Sequence, residues 1–283
     1  MKKNYWLPLL STLLFTGSFS ACGQERQQDL TVMTWNIRMN SPGDGVNAWP
    51  NRKEKVISFL QVIKPPVLCM QEVLAMQLDD LNKGLPQYGW FGAGRDDGKR
   101  EGEYVPVFYL KERFDFLKGD NFWLSDTPDK PGKLGWDAVC PRMVTWVKLA
   151  DRMTGNTLFI FNTHFDHIGV NARLQSAKLL THAADSIAGN NQILITGDFN
   201  SAITDTPYAV ITGAGFQDSR LVSVAAPAGP EYTFTGFATS GKPGDRIDYI
   251  YVRNTQPVKS YLVRNDSSDG YYLSDHLPVM VKL

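Results

Sequence analysis

The sequence predicts an α/β fold of mixed β-sheets with flanking helices, on three observations. Short runs rich in β-branched and aromatic residues recur from Leu30 to Leu283. Two stretches instead repeat their apolar residues every three or four positions, and each lies between two such runs. No repeat, low-complexity tract or linker interrupts the pattern, so residues 30–283 are expected to form one domain.

Ahead of that domain, Lys2 and Lys3 precede an apolar stretch from Tyr5 to Phe19 and small residues before Cys22, the layout of a secretory signal. Phe19-Ser20-Ala21-Cys22 followed by Gly23 looks like a bacterial lipobox. Residues 1–21 would then be removed, Cys22 lipidated, and residues 22–29 left as a tether. The expectation is an exported monomer, lipid-anchored in a bacterial membrane at the periplasm or cell surface. No later segment has the ~20 continuous apolar residues that a spanning helix requires.

Within the domain, Leu30 to Ile37 reads as a strand. Val56, Phe59, Leu60 and Ile63 fall at helical spacing, and Pro65-Pro66 stops that helix. Val67 to Met70 is a buried strand, followed by a second helix over about Leu74 to Leu81. Gly92 to Glu103, crowded with Gly and charge, is a surface loop. Val105 to Leu110 and Arg113 to Leu117 suggest paired strands around a Lys111-Glu112 turn. Asn121 to Pro141 is a long loop pinned by Phe122, Trp123 and Trp136, and long loops in compact domains are often functional. Met143 to Leu149 and Thr157 to Phe165 are strands. Leu174, Ala177, Leu180, Ala184 and Ile187 mark a helix that ends at Gly189. Further strands are expected at Ile193 to Ile195, Tyr232 to Phe237, Ile247 to Val252, Val258 to Val263 and Pro278 to Leu283.

Composition limits the partners. The 29 basic and 29 acidic residues balance, and losing Lys2 and Lys3 leaves a slightly acidic mature chain. That does not favour nucleic acid, whose binders carry a clustered basic excess. Besides Cys22 there are only Cys69, in an apolar run, and Cys140, beside Pro141. Both are expected to be free thiols.

The chemistry is concentrated in clusters at strand ends. Asp198 and Asn200 follow an apolar strand after Gly197, an arrangement that is also ordinary turn chemistry. Asp248 sits in a strand-like run, where a carboxylate must be paired or ligate a metal; an ion pair with Arg246 or Arg253 is the structural alternative. Asp275-His276 places an imidazole beside a carboxylate. Asn36 and Glu72 end apolar strands, and with Asp275 they would suit a hard divalent cation such as Mg²⁺. Glu72 alone would read as a solvated residue at a helix start. His164 and Asp166 alternate with Thr163 and Phe165, so both point to one side. Of four histidines, three (His164, His167 and His276) fall in these clusters; His182, on a helix, is expected to be structural.

Thr34-Trp35-Asn36, Gln71-Glu72-Val73, Asn162-Thr163-His164, Gly197-Asp198-Phe199-Asn200, Arg246-Ile247-Asp248-Tyr249 and Ser274-Asp275-His276 stand in the order seen in the endonuclease/exonuclease/phosphatase superfamily, which the chain resembles over nearly all of its length. The resemblance implies a four-layer α/β sandwich, two packed mixed β-sheets flanked by helices. It also implies that Glu72, with Asn36 and Asp275, holds Mg²⁺ or Mn²⁺ against the scissile phosphate. Asp198 would orient or deprotonate water, with Asn200 beside it, and His276, held by Asp248, would donate to a phosphoryl oxygen. His164 would stabilise the transition state, and Arg142, Asn162 and Asp166 would bind substrate. Asp166-His167 and the Trp123 to Trp136 segment resemble a bacterial branch rather than the apurinic endonucleases, in which a Tyr replaces the His of Asn-Thr-His.

The resulting expectation is an exported metal-dependent phosphoesterase acting on a phosphorylated small molecule or lipid headgroup, with Arg95, Lys99 and Arg100 as candidate cations for further phosphates. An extracellular nuclease is the alternative enzyme. A catalytically inert surface protein, binding glycans on Phe122, Trp123 and Trp136, is the alternative of another class.

Overall fold

Alternation along the strands sets the layers. On Thr31–Asn36 (β1), Val32 faces one way while Met33 and Trp35 face the other, and all three are buried. A strand buried on both faces must be covered twice, and here a second sheet covers one face and helices the other. The computed structural model of the protein describes residues 1–4, 29–238, 244–265, 267–268 and 271–283. Most of the expected signal, Cys22 and the tether to residue 28 lie outside the described residues.

The first sheet has the order β11-β14-β1-β2-β4-β3. Its other strands are Val67–Gln71 (β2), Tyr88–Phe91 (β3), Val107–Leu110 (β4), Ser260–Val263 (β11) and Val279–Lys282 (β14). The second sheet has the order β5-β6-β7-β8-β10-β9. It comprises Phe114–Trp123 (β5), Met143–Asp151 (β6), Thr157–His164 (β7), Gln192–Asp198 (β8), Gln217–Asp218 (β9) and Asp248–Arg253 (β10). A small hairpin, Ser267–Ser268 (β12) with Tyr271–Tyr272 (β13), stands apart.

Each sheet contains one parallel pair, and a helix makes the crossover. Trp49–Ile63 (α1) joins β1 to β2, and Val170–Ala188 (α3) joins β7 to β8. Pro50 suits the first turn of α1, and left-handed Lys64 (φ 45°) ends it before Pro65. Gly189 (φ 54°) ends α3. Ala75–Gly84 (α2) lies beside α1, and Thr206–Gly213 (α4) beside α3.

Three apolar layers result. Val32, Val67, Cys69 and Val107 meet Val147, Ile160, Leu194 and Ile250 between the sheets. Met33, Trp35, Leu68 and Met70 pack under Val56, Leu60, Leu78 and Leu81 of α1 and α2. Phe159, Phe161, Ile193 and Ile195 pack under Ala177, Leu180, Ala184 and Ile211 of α3 and α4. Each buried Val, Leu or Ile contributes about 1.5–3 kcal/mol, and slipping a strand by one residue would turn its whole set outward. This is the expected four-layer sandwich.

Four local expectations are corrected. Val105 to Leu110 and Arg113 to Leu117 do not form a hairpin: β4 pairs with β2 and β3, whereas β5 pairs with β6. The chain changes sheets at Arg113, whose buried guanidinium is held by Asp151 at 2.8 Å. The supposed loop from Asn121 begins as strand, because β5 is a largely exposed edge and its polar residues hid it. Tyr232 to Phe237 is a loop, with an isolated bridge from Phe234 to His276 and Thr233 Oγ1 accepting from Asp248 N at 3.1 Å. Trp123 is no stacking platform: it is buried against Val105 and Met143, and its Nε1 donates to Arg95 O at 2.6 Å. Cys69 and Cys140 are free.

Candidate active site

Along five strands the residues facing between the sheets change from apolar to polar toward one end. β1 carries Val32, Thr34 and Asn36; β2 carries Val67, Cys69 and Gln71; β7 carries Ile160, Asn162 and His164. β8 carries Leu194, Thr196 and Asp198, and β10, running the other way, carries Ile250 and then Asp248. The strand ends therefore deliver polar side chains into one space.

The first polar layer is sealed. Gln71 Nε2 donates to Thr34 Oγ1 at 3.0 Å and to Asn162 Oδ1 at 2.7 Å. Asn162 Nδ2 donates to Met70 O at 2.8 Å and Pro106 O at 3.1 Å. Asn162 is fully buried and does not reach the cavity above. Its expected role in binding substrate is corrected: its amide is consumed in tying the two sheets together.

Register aligns the next layer. His164 on β7, Asp198 on β8 and Asp248 on β10 are direct neighbours. Gly197 (φ 148°) allows this, since a Cβ there would lie 2.1 Å from Thr163 O. Asp198 Oδ2 accepts from Asn36 Nδ2 at 3.0 Å and lies 3.5 Å from His164 Nε2 and 3.6 Å from His276 Nε2. Its Oδ1 accepts from Asn200 N at 2.9 Å. His276 Nδ1 meets Asp248 Oδ2 at 2.8 Å. Asp248 pairs with neither candidate arginine: Arg246 is taken by Asp218 at 2.7 Å and Arg253 by Asp185 at 2.5 Å.

Arg38, Glu72 and Asn200 follow the ends of β1, β2 and β8, all in left-handed backbone (φ 57°, 59° and 47°). Such strain, of order 1 kcal/mol or more each, clusters where side chains must be aimed. Glu72 Oε1 accepts from Asn36 Nδ2 at 2.9 Å, and Oε2 from Met39 N at 3.1 Å. One guanidinium, that of Arg38, lies 3.7 Å from Glu72 and 3.9 Å from Asp275 while also pairing with Asp44 at 2.9 Å. The two carboxylates thus stand against one guanidinium, Glu72 beside Nη1 and Asp275 beside Nε. An all-oxygen pair of this kind fits a hard divalent ion. Asn36 turns its amino group to Glu72 and Asp198, and its Oδ1 accepts from Arg38 N at 3.0 Å. It braces the carboxylates here and does not present an oxygen beside them.

The two histidines are tuned apart. Burial opposes charge on His276, but Asp248 and Asp198 outweigh it and hold its pKa well above the ordinary value. Burial, with Arg142 nearby, pushes His164 down to about 3. Burial raises Asp198, and Asp248 adds to the rise; burial and Glu72 likewise raise Asp275.

These groups floor a cavity of about 490 Å³. Its wall holds residues that sequence reasoning missed or misplaced. Glu103, read as part of a surface loop, lies 3.7 Å from His164 Nδ1 and accepts from Arg95 Nη1 at 2.7 Å. Arg38 was missed as well; its place two residues beyond Asn36 was the available signal. Arg142 is 5% exposed and lines the wall. Lys99 and Arg100 do not line it, and Arg100 pairs with Asp79 at 2.8 Å. Asp166, expected to bind substrate, is corrected too: it is 1% exposed behind the wall, with its oxygens engaged by the N–H groups of Val139, Ile168 and Gly169.

Comparison with known proteins places this geometry. The profile of the Endonuclease/Exonuclease/phosphatase family matches residues 33–276. A solved endonuclease/exonuclease/phosphatase from Bacteroides vulgatus is 39% identical with a TM-score of 0.86, over 90% of this chain and 98% of that one. The mannosyl-6-phosphatase of Bacteroides thetaiotaomicron VPI-5482 is 34% identical with a TM-score of 0.85, over 90% and 99% of the two chains. An uncharacterized protein of Acanthamoeba polyphaga mimivirus is 27% identical over 254 residues, 83% of this chain and 92% of that protein.

Proposed function

We propose, for a chain that belongs to the endonuclease/exonuclease/phosphatase family and is therefore a hydrolase of phosphate esters, that it is a Mg²⁺- or Mn²⁺-dependent phosphomonoesterase acting on a small phosphorylated polyol such as a sugar phosphate. The observation that carries this reading is one walled cavity that holds the acids, three histidines and three arginines together. Its size suits a small molecule, in the range of roughly 300–1,000 Å³ typical of ligand pockets. Balanced charge argues against a polynucleotide, and the similarity to a mannosyl-6-phosphatase supports a sugar phosphate.

Glu72 and Asp275 would hold the metal, which supplies positive charge for the phosphate when bound. Asp198, raised by burial, accepts a proton from the attacking water and fixes its direction. Asn36 keeps Asp198 and Glu72 in register through its amino group. His276, charged and clamped by Asp248, donates from Nε2 to a phosphoryl oxygen. His164, on the other side of Asp198, gives a second contact. The leader, read as a lipobox at Cys22, supports a place outside the cytoplasm.

The test is phosphate release from mannose 6-phosphate, inositol phosphates, nucleotides, a diaryl phosphodiester and single-stranded DNA, with Mg²⁺ or EDTA and with Asp198→Asn as control. Metal-dependent release from a polyol monoester, lost in the variant, is expected. Cleavage of the diester or DNA alone would overturn the reading.

A further inference from the structure

His167 is exposed on the cavity wall, and the mechanism above does not use it. Its surroundings are nevertheless built. Its backbone is fixed on both sides, because Asp166 Oδ1 accepts from Ile168 N at 3.0 Å and Gly169 N at 2.7 Å, and Asp166 Oδ2 from Val139 N at 3.2 Å. Its ring is fixed as well, since Arg142 Nη2 lies 3.1 Å from His167 Nδ1. A guanidinium only donates, so Nδ1 must accept, and the ring proton therefore sits on Nε2.

Arg142 is flanked by two carboxylates, neither within hydrogen-bond distance. Its buried guanidinium stands 3.7 Å from Asp166 through Nε and 3.9 Å from Glu103 through Nη1. Arg95 pairs with the same Glu103. Two arginines thus face two carboxylates, and the wall carries no net charge that would select a second anion. What it presents is a single N–H of fixed tautomer.

We propose that His167 is a specificity-determining residue whose Nε2–H, set by Arg142, hydrogen-bonds an oxygen of the alcohol that carries the phosphate, a hydroxyl or ring oxygen of a polyol. This rests on the phosphomonoesterase reading above and extends it from the phosphate to the leaving group. The phosphate itself belongs to the floor, where Asp198, His164 and His276 converge. A site that reads a hydroxyl by hydrogen bonding discriminates against analogues lacking it, because the site's polar group is then left unpaired.

The experiment compares full-length wild type, His167→Ala and His167→Gln on mannose 6-phosphate and on phenyl phosphate, a monoester whose alcohol offers no other oxygen. His167→Ala should raise KM for mannose 6-phosphate roughly tenfold, the effect of one hydrogen bond, and leave kcat and both constants for phenyl phosphate unchanged. His167→Gln, which keeps an N–H near the Nε2 position, should recover part of the loss. In wild type, a two-bond ¹H–¹⁵N spectrum should show the proton of the His167 ring on Nε2. Equal losses on both esters, no change on either, or a proton on Nδ1 would each overturn the proposal while leaving the phosphomonoesterase reading in place. Wild type inactive on both esters would instead overturn that reading, and this one with it.

Discussion

Asp198 shares Oδ2 among Asn36, His164 and His276, so no neighbour can replace it. Asp198→Asn keeps the shape and removes the proton acceptor. It should lower kcat by roughly 10²–10⁴, the usual worth of a general base, with an unchanged circular dichroism spectrum; retained turnover would remove Asp198 from the mechanism. Asp248 acts through charge, since it keeps His276 protonated well above the ordinary imidazole pKa. Asp248→Asn removes that support, so His276 should lose its proton at lower pH and the basic limb of the kcat/KM profile should move down. A limb that stays in place would mean that His276 is not the group titrating there. The aspartates and histidines of this site were legible in sequence because such residues at the ends of apolar strands demand an explanation. Glu103 and Arg38 were not, because a charged residue in a polar loop looks the same whether it faces solvent or a cavity. Asn162 was misread for a related reason. Period-two alternation gives the face of a residue but not its depth, and Asn162 lies one layer below His164 on the same face.

At the scale of elements, that sealed layer is where the two sheets are joined by polar bonds. Asn162→Ala would remove buried hydrogen bonds inside the sandwich, one from Gln71 Nε2, which keeps Thr34, and those to the carbonyls of Met70 and Pro106. A buried hydrogen bond contributes about 0.5–1.5 kcal/mol, so losing these together should cost roughly 3 kcal/mol in urea unfolding, with KM unchanged. A weakened KM at unchanged stability would return Asn162 to the substrate. The start of β1 is held differently. Asp29 pairs with Lys259 and Lys282 at 2.6 Å each, and these bonds lower its pKa from 3.8 to about 2. A depressed carboxyl stabilises the fold above its unfolded pKa and loses that effect as pH falls through the folded value. The Tm gap between wild type and Asp29→Asn should thus be full above about pH 4 and close toward pH 2; a gap independent of pH would refute the clamp. Element types were legible from spacing, but partners were not. The hairpin expected around Lys111-Glu112 failed because the Arg113 to Asp151 bond, 38 residues apart in sequence, commits β5 to the other sheet. The strand at Tyr88–Phe91 was hidden by Gly89, where a Cβ would lie 2.6 Å from the Tyr109 ring.

For the whole molecule, the placement of charge makes metal binding a stability question as well as a catalytic one. Glu72, Asp198, Asp248 and Asp275 meet at one end of the sandwich, and the fold supplies Arg38 and the charged His276 against them. Burial, with Asp248 and Glu72 adding to it, disfavours the charged forms of Asp198 and Asp275. A divalent cation binding between Glu72 and Asp275 in the folded state alone must stabilise the fold, by about 1.4 kcal/mol at tenfold excess over Kd. In a domain of this size that corresponds to a Tm rise of roughly 2–5 °C. Mg²⁺ or Mn²⁺ should produce that shift in wild type, EDTA should reverse it, and Glu72→Gln should abolish it. Asp275→Asn should also raise the Tm of the metal-free protein, because it removes a carboxyl that burial and Glu72 already disfavour as an anion. No shift with either ion, or a shift that survives in Glu72→Gln, would move the metal away from these two carboxylates whatever the enzyme assay reports.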